Sequence, residues 1–356
     1  MQTRNKRLSI IYLCGDLSHL QYLIMEKPKI RIPIKESLRR KILPDDSLDS
    51  LKSFADVTVN PEDRDLDDAE AVRFLRGADG VMGSWGVTAL SPTILDAAPD
   101  LKIWCHAAGS LKSRDLICDE AWEKDIVVTS AAPAIADDVA EFTIAMIGIA
   151  LRKVLPLSRR MAEGNYRVSK SEVRSLYRST VGIIGASQVG IRVMRLLRPY
   201  EVRILLFDPF VSEDQAHEAF GAELVDLETM ARECEVISCH APKLDATRHM
   251  WHATHFRLMR DDAVFINNSR GANIDEEALI TELRTGRISA CIDVTDPEPC
   301  ALDSPLRTLP NVILTPHIAG AQSIRVGTMA TEELRRFFAG EDQIFQVTKD
   351  MLFRMG

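Results

Sequence analysis

Val181-Gly182-Ile183-Ile184-Gly185-Ala186-Ser187-Gln188-Val189-Gly190-Ile191 reads as strand, tight turn and helix, and its reading decides the fold. Residues 181–184 are apolar and rich in β-branched side chains. Val189, Val193, Leu196 and Leu197 then recur at helical spacing. A strand–turn–helix that cradles a dinucleotide needs glycine at three places: the turn, the approach of backbone to pyrophosphate, and the close packing of helix on strand. Gly185 and Gly190 fill the first and third, and Ser187 stands at the second, with Gln188 and Val189 opening the helix. The next apolar run, Arg203-Ile204-Leu205-Leu206-Phe207-Asp208, ends in an acid at about the twenty-residue offset expected for ribose recognition. The plainer role for Asp208 is a turn acid before Pro209, and its offset favours the ribose. A carboxylate there repels a 2′-phosphate, and no arginine follows directly to rescue one, so NAD is expected over NADP.

The same alternation of short apolar runs and helical periodicity extends both ways, the signature of a parallel sheet covered on both faces. Downstream, strands are expected over 236–239, 264–267, 289–294 and 312–315. An amphipathic helix then runs from Gly320 to about Gly340 with Met329, Leu334, Phe337 and Phe338 on it. Upstream, strands are expected over 8–13, 57–59, 80–83, 103–105 and 127–129, with helices over 68–75, 92–98 and 114–124. Residues 19–44, rich in Lys and Arg and broken by proline, find no place in this scheme and read as a loop or excursion. After Ala131-Ala132-Pro133 comes a long helix, capped by Asp137 or Asp138 and apolar on more than one face from Ala140 to Leu151. It is either a buried core helix or one shared between two domains or subunits. An all-round apolar helix must be covered on every side, which favours the second.

Length and composition bound the function. The chain has 356 residues, 46% of them hydrophobic, ample for two packed cores. A net charge of −8 argues against non-specific nucleic-acid binding, which needs a basic field. No apolar run reaches the roughly twenty residues of a membrane span. The basic start of the chain is followed by an apolar stretch barely long enough for a signal peptide and broken at Gly15-Asp16, so a cytoplasmic location is expected. The seven cysteines form no CxxC pair, and neither a disulfide framework nor a metal site is expected.

Three segments near the C-terminal end bear the chemistry: Asn267-Asn268-Ser269-Arg270-Gly271-Ala272, Asp293-Val294-Thr295-Asp296-Pro297-Glu298-Pro299 and Leu314-Thr315-Pro316-His317-Ile318-Ala319-Gly320. A guanidinium, a carboxylate and an imidazole are a complete set for moving a proton off a hydroxyl that sits beside a carboxylate. The planar fork of Arg270 grips two oxygens at once, and the turn made by Ser269 and Gly271 suits a cleft better than a solvated strand end. A lone histidine after proline is more often structural. For His317 the carboxylate of Glu298, at the preceding strand's end, tips the balance toward an acid/base held by its other nitrogen. Asp293 is open between a strand-end cap and a contact with a nicotinamide amide.

Taken in order, these segments resemble the D-isomer-specific 2-hydroxyacid dehydrogenase family over roughly residues 78–341. Glu233-Cys234-Glu235-Val236-Ile237-Ser238-Cys239-His240-Ala241-Pro242 looks like that family's strand and loop beneath the nicotinamide, continued by Thr247-Arg248-His249-Met250. The resemblance implies an α/β architecture of two doubly wound parallel-sheet domains. A Rossmann nucleotide domain (131–321) would be inserted into a flavodoxin-like substrate domain (1–130 and 322–356), with the active site in the cleft between them. It implies an NAD-dependent oxidoreductase that interconverts a D-2-hydroxy acid and its 2-keto acid, with Arg270, Glu298 and His317 as catalytic residues. Gly185, Ser187, Gln188, Val189, Gly190, Asp208, His240, Ala241, Pro242, Ser269, Asp293 and Gly320 would line the cofactor. A homodimer using the helix after Pro133 is implied, with no nucleic-acid or membrane partner.

Two departures stand out. Ser187 replaces the central glycine, and His106-Ala107-Ala108-Gly109-Ser110 occupies the loop where many members carry Arg-Ala-Gly-Val-Gly. The expected substrate contacts are His106, Ala108, Gly109, Ser110 and Lys112. Backbone N–H groups of 108–110 would face the substrate carboxylate, and His106 and Lys112 would add positive charge for a second anionic group. A solvated Lys112 is the alternative. The same fold serves as an NAD(H)-sensing regulatory protein in the C-terminal binding protein corepressors. The complete Arg–Glu–His set, with no appended interaction segment evident, favours the enzyme.

Overall fold

The computed structural model describes residues 26–109, 111, 116–165, 173–321 and 323–352. Among them the strands are, in chain order, β1 (Lys29–Ile32), β2 (Asp56–Val59), β3 (Gly80–Gly83), β4 (Ile103–His106), β5 (Val127–Ser130), β6 (Thr180–Ile184), β7 (Arg203–Phe207), β8 (Glu223–Leu224), β9 (Val236–Cys239), β10 (Val264–Asn267), β11 (Ser289–Ile292), β12 (Val312–Leu314) and β13 (Gln346–Val347). They form two sheets with helices between the strands, an α/β architecture. The first sheet has the flavodoxin-like order β2-β1-β3-β4-β5, with β13 added antiparallel to β5. The second, β8-β7-β6-β9-β10-β11-β12, is parallel throughout and is a Rossmann order. Its strand order reverses between β6 and β9, and open α/β sheets bind ligands in the crevice beyond the C-terminal ends of such a pair.

The chain leaves the first sheet after β5 and returns to it with the helix Ile324–Phe338. That helix places Val326, Ala330 and Leu334 in the same core as Ile30, Ile32, Ile103 and Cys105. The helix Ala132–Leu151 is covered from two sides. Ala134 belongs to the first sheet's core, whereas Ala140, Ile147 and Leu151 pack with Val181, Ile183 and Val193 of the second. Its start corrects the sequence reading. The helix begins at Ala132, with Pro133 in the first turn, where a missing N–H costs nothing. Asp137 and Asp138 are therefore not caps. They lie a turn inside and pair with Arg192 and Arg325, respectively.

A second correction concerns residues 19–44. Their described part is not an excursion: it supplies β1, between β2 and β3, and the helix Glu36–Ile42. The strand escapes notice because Pro28 and Pro33 bracket only four residues. Lys29 and Arg31 alternate with Ile30 and Ile32, and only the isoleucines are buried, each 0% exposed. The expected strand over 8–13 lies outside the described residues. So do the first two positions of the expected helix 114–124, of which Asp119–Glu123 is helical. Among the described residues no helix is long and apolar enough to cross a membrane.

Candidate active site

The cradle at the reversal of the second sheet is built by glycine geometry. Gly185 has φ +94°, a conformation that side chains disfavour, and a Cβ there would lie 3.1 Å from the backbone of Ala241. The turn after β6 thus rests directly on the His240–Pro242 loop after β9. A Cβ on Gly190 would sit 2.0 Å from the Gly185 carbonyl oxygen, so the helix Gln188–Leu197 approaches β6 as closely as only glycine allows. Ser187 is this helix's N-cap: its hydroxyl oxygen accepts from Gly190 N–H at 3.3 Å. Asp208 binds the turn itself, accepting from Ala186 N–H at 2.8 Å and from Phe210 N–H at 2.9 Å. His240 is buried, bonded to the Ser238 hydroxyl over 2.9 Å, and burial pushes its imidazole down to about 3, so it is neutral. These residues fit a dinucleotide: a bare backbone concavity at a helix N-terminus, with an acid beside it.

Arg270, Glu298 and His317 sit beyond the ends of β10, β11 and β12. His317 Nδ1 and Glu298 Oε1 are 2.5 Å apart, leaving Nε2 as the nitrogen that can face a reacting oxygen. The pair is half exposed, 49% for His317 and 42% for Glu298. Arg270 donates to the Ser269 carbonyl at 2.8 Å; burial pushes its guanidinium down, and the nearby Glu298 charge opposes that shift. What brings Arg270 beside Glu298 is Gly271. A Cβ there would fall 2.1 Å from the Thr295 carbonyl, so the two loops are in backbone contact.

Asp293 acts as the strand-end cap. Its Oδ1 accepts from the Thr315 hydroxyl (2.6 Å) and Ile318 N–H (2.9 Å), and its Oδ2 accepts from Ala319 N–H (2.9 Å). Ser269 also turns inward, donating to Asn267 Oδ1 at 2.8 Å and accepting from Asn273 Nδ2 at 3.2 Å. Gly320 abuts the helix Ala132–Leu151, where a Cβ would lie 2.7 Å from Ile135. Asn273, whose amide also donates to the Ala241 carbonyl at 2.7 Å, and Thr315 were not singled out by the sequence. The one available signal was their place, within three residues of Arg270 and His317.

In the first sheet, β4 ends at His106, and Gly109 beyond it lies against Ile135, the same side chain that Gly320 abuts. Ser84 Oγ donates to the Ala107 carbonyl at 2.8 Å, and Ser130 Oγ to the Gly109 carbonyl at 2.9 Å, which fixes this backbone. One expectation fails here. His106 is 3% exposed and its Nδ1 has no partner among the described residues; burial pushes the imidazole down to about 4, so it supplies no positive charge. Ser110 and Lys112 lie outside the described residues. A cavity of about 400 Å³ lies at the opposite, N-terminal ends of β11 and β12, away from this chemistry. Its Asn311 amide is already bonded to the Leu283 and Ile288 carbonyls.

Comparison with known proteins bears on this arrangement. Residues 144–319 match the model described as D-isomer specific 2-hydroxyacid dehydrogenase, NAD binding domain. A glyoxylate reductase of Korarchaeum cryptofilum is 34% identical over 256 residues, 70% of this chain and 76% of that protein. The chain belongs to the D-isomer-specific 2-hydroxyacid dehydrogenase family. A D-3-phosphoglycerate dehydrogenase of Archaeoglobus fulgidus is 32% identical over 251 residues; this chain spans about half (47%) of its length. The TT0316 protein of Thermus thermophilus superposes with a TM-score of 0.70 at 26% identity, over 90% of this chain and all of that one. A D-lactate dehydrogenase of Lactobacillus jensenii, solved with NAD+, shares the fold at 22% identity, with a TM-score of 0.73 and 90% of this chain covered. The family is one of NAD-linked oxidoreductases, and the cradle after β6 lies inside the matched NAD-binding domain.

Proposed function

We propose that this protein interconverts a D-2-hydroxy acid and its 2-keto acid with NAD(H), in the cytoplasm, as a homodimer. The domain division behind this reading is a nucleotide domain of 131–321 inserted into a substrate domain of 1–130 and 322–356. The observation that carries it is the His317–Glu298 pair, with Arg270 close by, at the ends of consecutive strands of an NAD-binding domain. NAD, when bound, takes or supplies the hydride at the hydroxyl-bearing carbon. The proton is left to the chain. His317 Nε2 accepts it from the hydroxyl in oxidation and returns it in reduction, while Glu298 holds Nδ1–H and so keeps Nε2 turned to the reacting oxygen. Arg270 holds the substrate carboxylate and the reacting oxygen in its fork. Ala108 and Gly109, with Ser110, offer backbone N–H groups to the same carboxylate. The dimer would use the helix Ala132–Leu151, with the helix Val154–Ala162 after it, which exposes Val154, Leu155 and Met161, covered in the same contact. The relatives compared above carry the names of dehydrogenases and reductases, which supports turnover over sensing. A panel of small 2-keto acids, phosphorylated ones included, is assayed by NADH loss. At least one should be reduced to the D-hydroxy acid, and no rate with any of them would overturn the reading.

Two further outcomes concern the cofactor. The unaltered protein should bind NADH more tightly than NADPH, and Asp208→Ala should narrow the gap. The variant should also weaken NADH binding itself, because it frees the Ala186 N–H that shapes the turn. Equal affinities for the two cofactors in the unaltered protein would rule out Asp208 as the selector. Ser187 caps its helix with its oxygen and keeps its proton to donate toward phosphate. Ser187→Ala should therefore weaken NADH binding by about 1 kcal/mol and lower stability by about 1 kcal/mol. Lower stability with unchanged binding, by calorimetry and fluorescence titration, would leave only the cap.

A further inference from the structure

Thr315, just beyond β12, lies outside the cofactor cradle and the reacting groups, yet its hydroxyl holds Asp293 Oδ1 at 2.6 Å. The same carboxylate takes Ile318 N–H on Oδ1 and Ala319 N–H on Oδ2, each at 2.9 Å. The Asp293 carbonyl accepts His317 N–H, also at 2.9 Å. One buried residue, 2% exposed, thus takes the amides of three consecutive positions. The first of those positions is His317, with φ +54°. A residue bearing a side chain stays in that left-handed conformation only where its surroundings over-determine it. Relaxed to negative φ, His317 would carry its imidazole along a different direction, away from Glu298 Oε1.

We propose that Thr315 and Asp293 are positioning residues. The Thr315 hydroxyl fixes the rotation of the Asp293 carboxylate, and the carboxylate clamps residues 317–319. His317 is thereby held in the left-handed conformation that sets Nδ1 on Glu298 and turns Nε2 to the substrate. This rests on the acid/base role of His317 given above. It gives the Asp293 side chain a part in holding the histidine loop, through three hydrogen bonds from that loop.

Thr315→Val keeps the shape and removes the donor, and Thr315→Ser restores it. Three quantities are measured in each: kcat and KM for an accepted 2-keto acid, the NADH dissociation constant, and amide-exchange protection of His317, Ile318 and Ala319. Thr315→Val should lower kcat roughly ten- to hundredfold, the scale of a small misplacement of a reacting group. KM and the NADH dissociation constant should stay close to parental, and the three amides should exchange faster. Thr315→Ser should recover both kcat and protection. Parental kcat and protection in Thr315→Val would overturn the proposal. So would NADH binding lost in step with kcat while the amides stay protected, because that is a cofactor contact. Should Thr315→Val not fold, Thr315→Ala is read the same way. If the unaltered protein turns over no acid, the acid/base reading falls alone, and the clamp is decided by protection: faster exchange restored by Ser supports it, and unchanged exchange overturns it.

Discussion

His317→Ala is expected to lose roughly two to four orders of magnitude in turnover, the usual worth of general acid–base catalysis, while NADH binding barely changes. The imidazole stands on the far side of β10 and β11 from the cradle after β6, and its one described side-chain partner is Glu298 at 2.5 Å. Removing it takes away the proposed proton acceptor and leaves the surfaces proposed for the dinucleotide intact. The measurement is steady-state turnover of the best 2-keto acid by parent and variant, alongside NADH titration of both. Equal rates would sink the mechanism. A parallel loss of NADH affinity would instead place His317 in the cofactor site.

Gly271→Ala is expected to be nearly as damaging, although residue 271 carries no chemistry. Its Cβ would fall 2.1 Å from the Thr295 carbonyl carbon and oxygen and 2.6 Å from Asp296 N. Neither neighbour is the flexible tip of a side chain, so the backbones must part by about 1 Å, a displacement that costs on the order of a hundredfold when reacting groups are carried with it. Arg270 precedes the glycine and Glu298 follows Asp296, so the separation falls on the distance between guanidinium and carboxylate. Both kcat/KM and the thermal midpoint should drop. Gly148→Ala is the control, since a Cβ there meets nothing within 4 Å and its helix gains from alanine. Parental activity in Gly271→Ala would mean that contact between the two loops does not set the site.

The parts of this molecule legible in the sequence are those where one residue type answers one physical demand. Gly185 and Gly190 announce the cradle because a Cβ is excluded at both. His317 and Glu298 are readable because an imidazole and a carboxylate end neighbouring strands. The illegible parts depend on partners distant in sequence. β1 is hidden by its prolines and alternating cations until β2 and β3 flank it. The charge state of His106 depends on burial that no neighbouring residue reveals. Asp293 offers two roles in the sequence, and the cap among them is completed by Thr315, Ile318 and Ala319, more than twenty positions away. The acids of the long helix mislead in the same way: near Pro133 they look like caps, and Arg192 and Arg325 claim them across the fold.

The helix Ala132–Leu151 lends its beginning to one core and its end to the other. Two lobes joined by a slack tether could melt one at a time. Here the connector is itself part of what each lobe is made of, so loosening either lobe strips the helix of half its cover. Ala134 packs in the first core and Leu151 in the second, so taking the helix away would bare apolar surface in both at once.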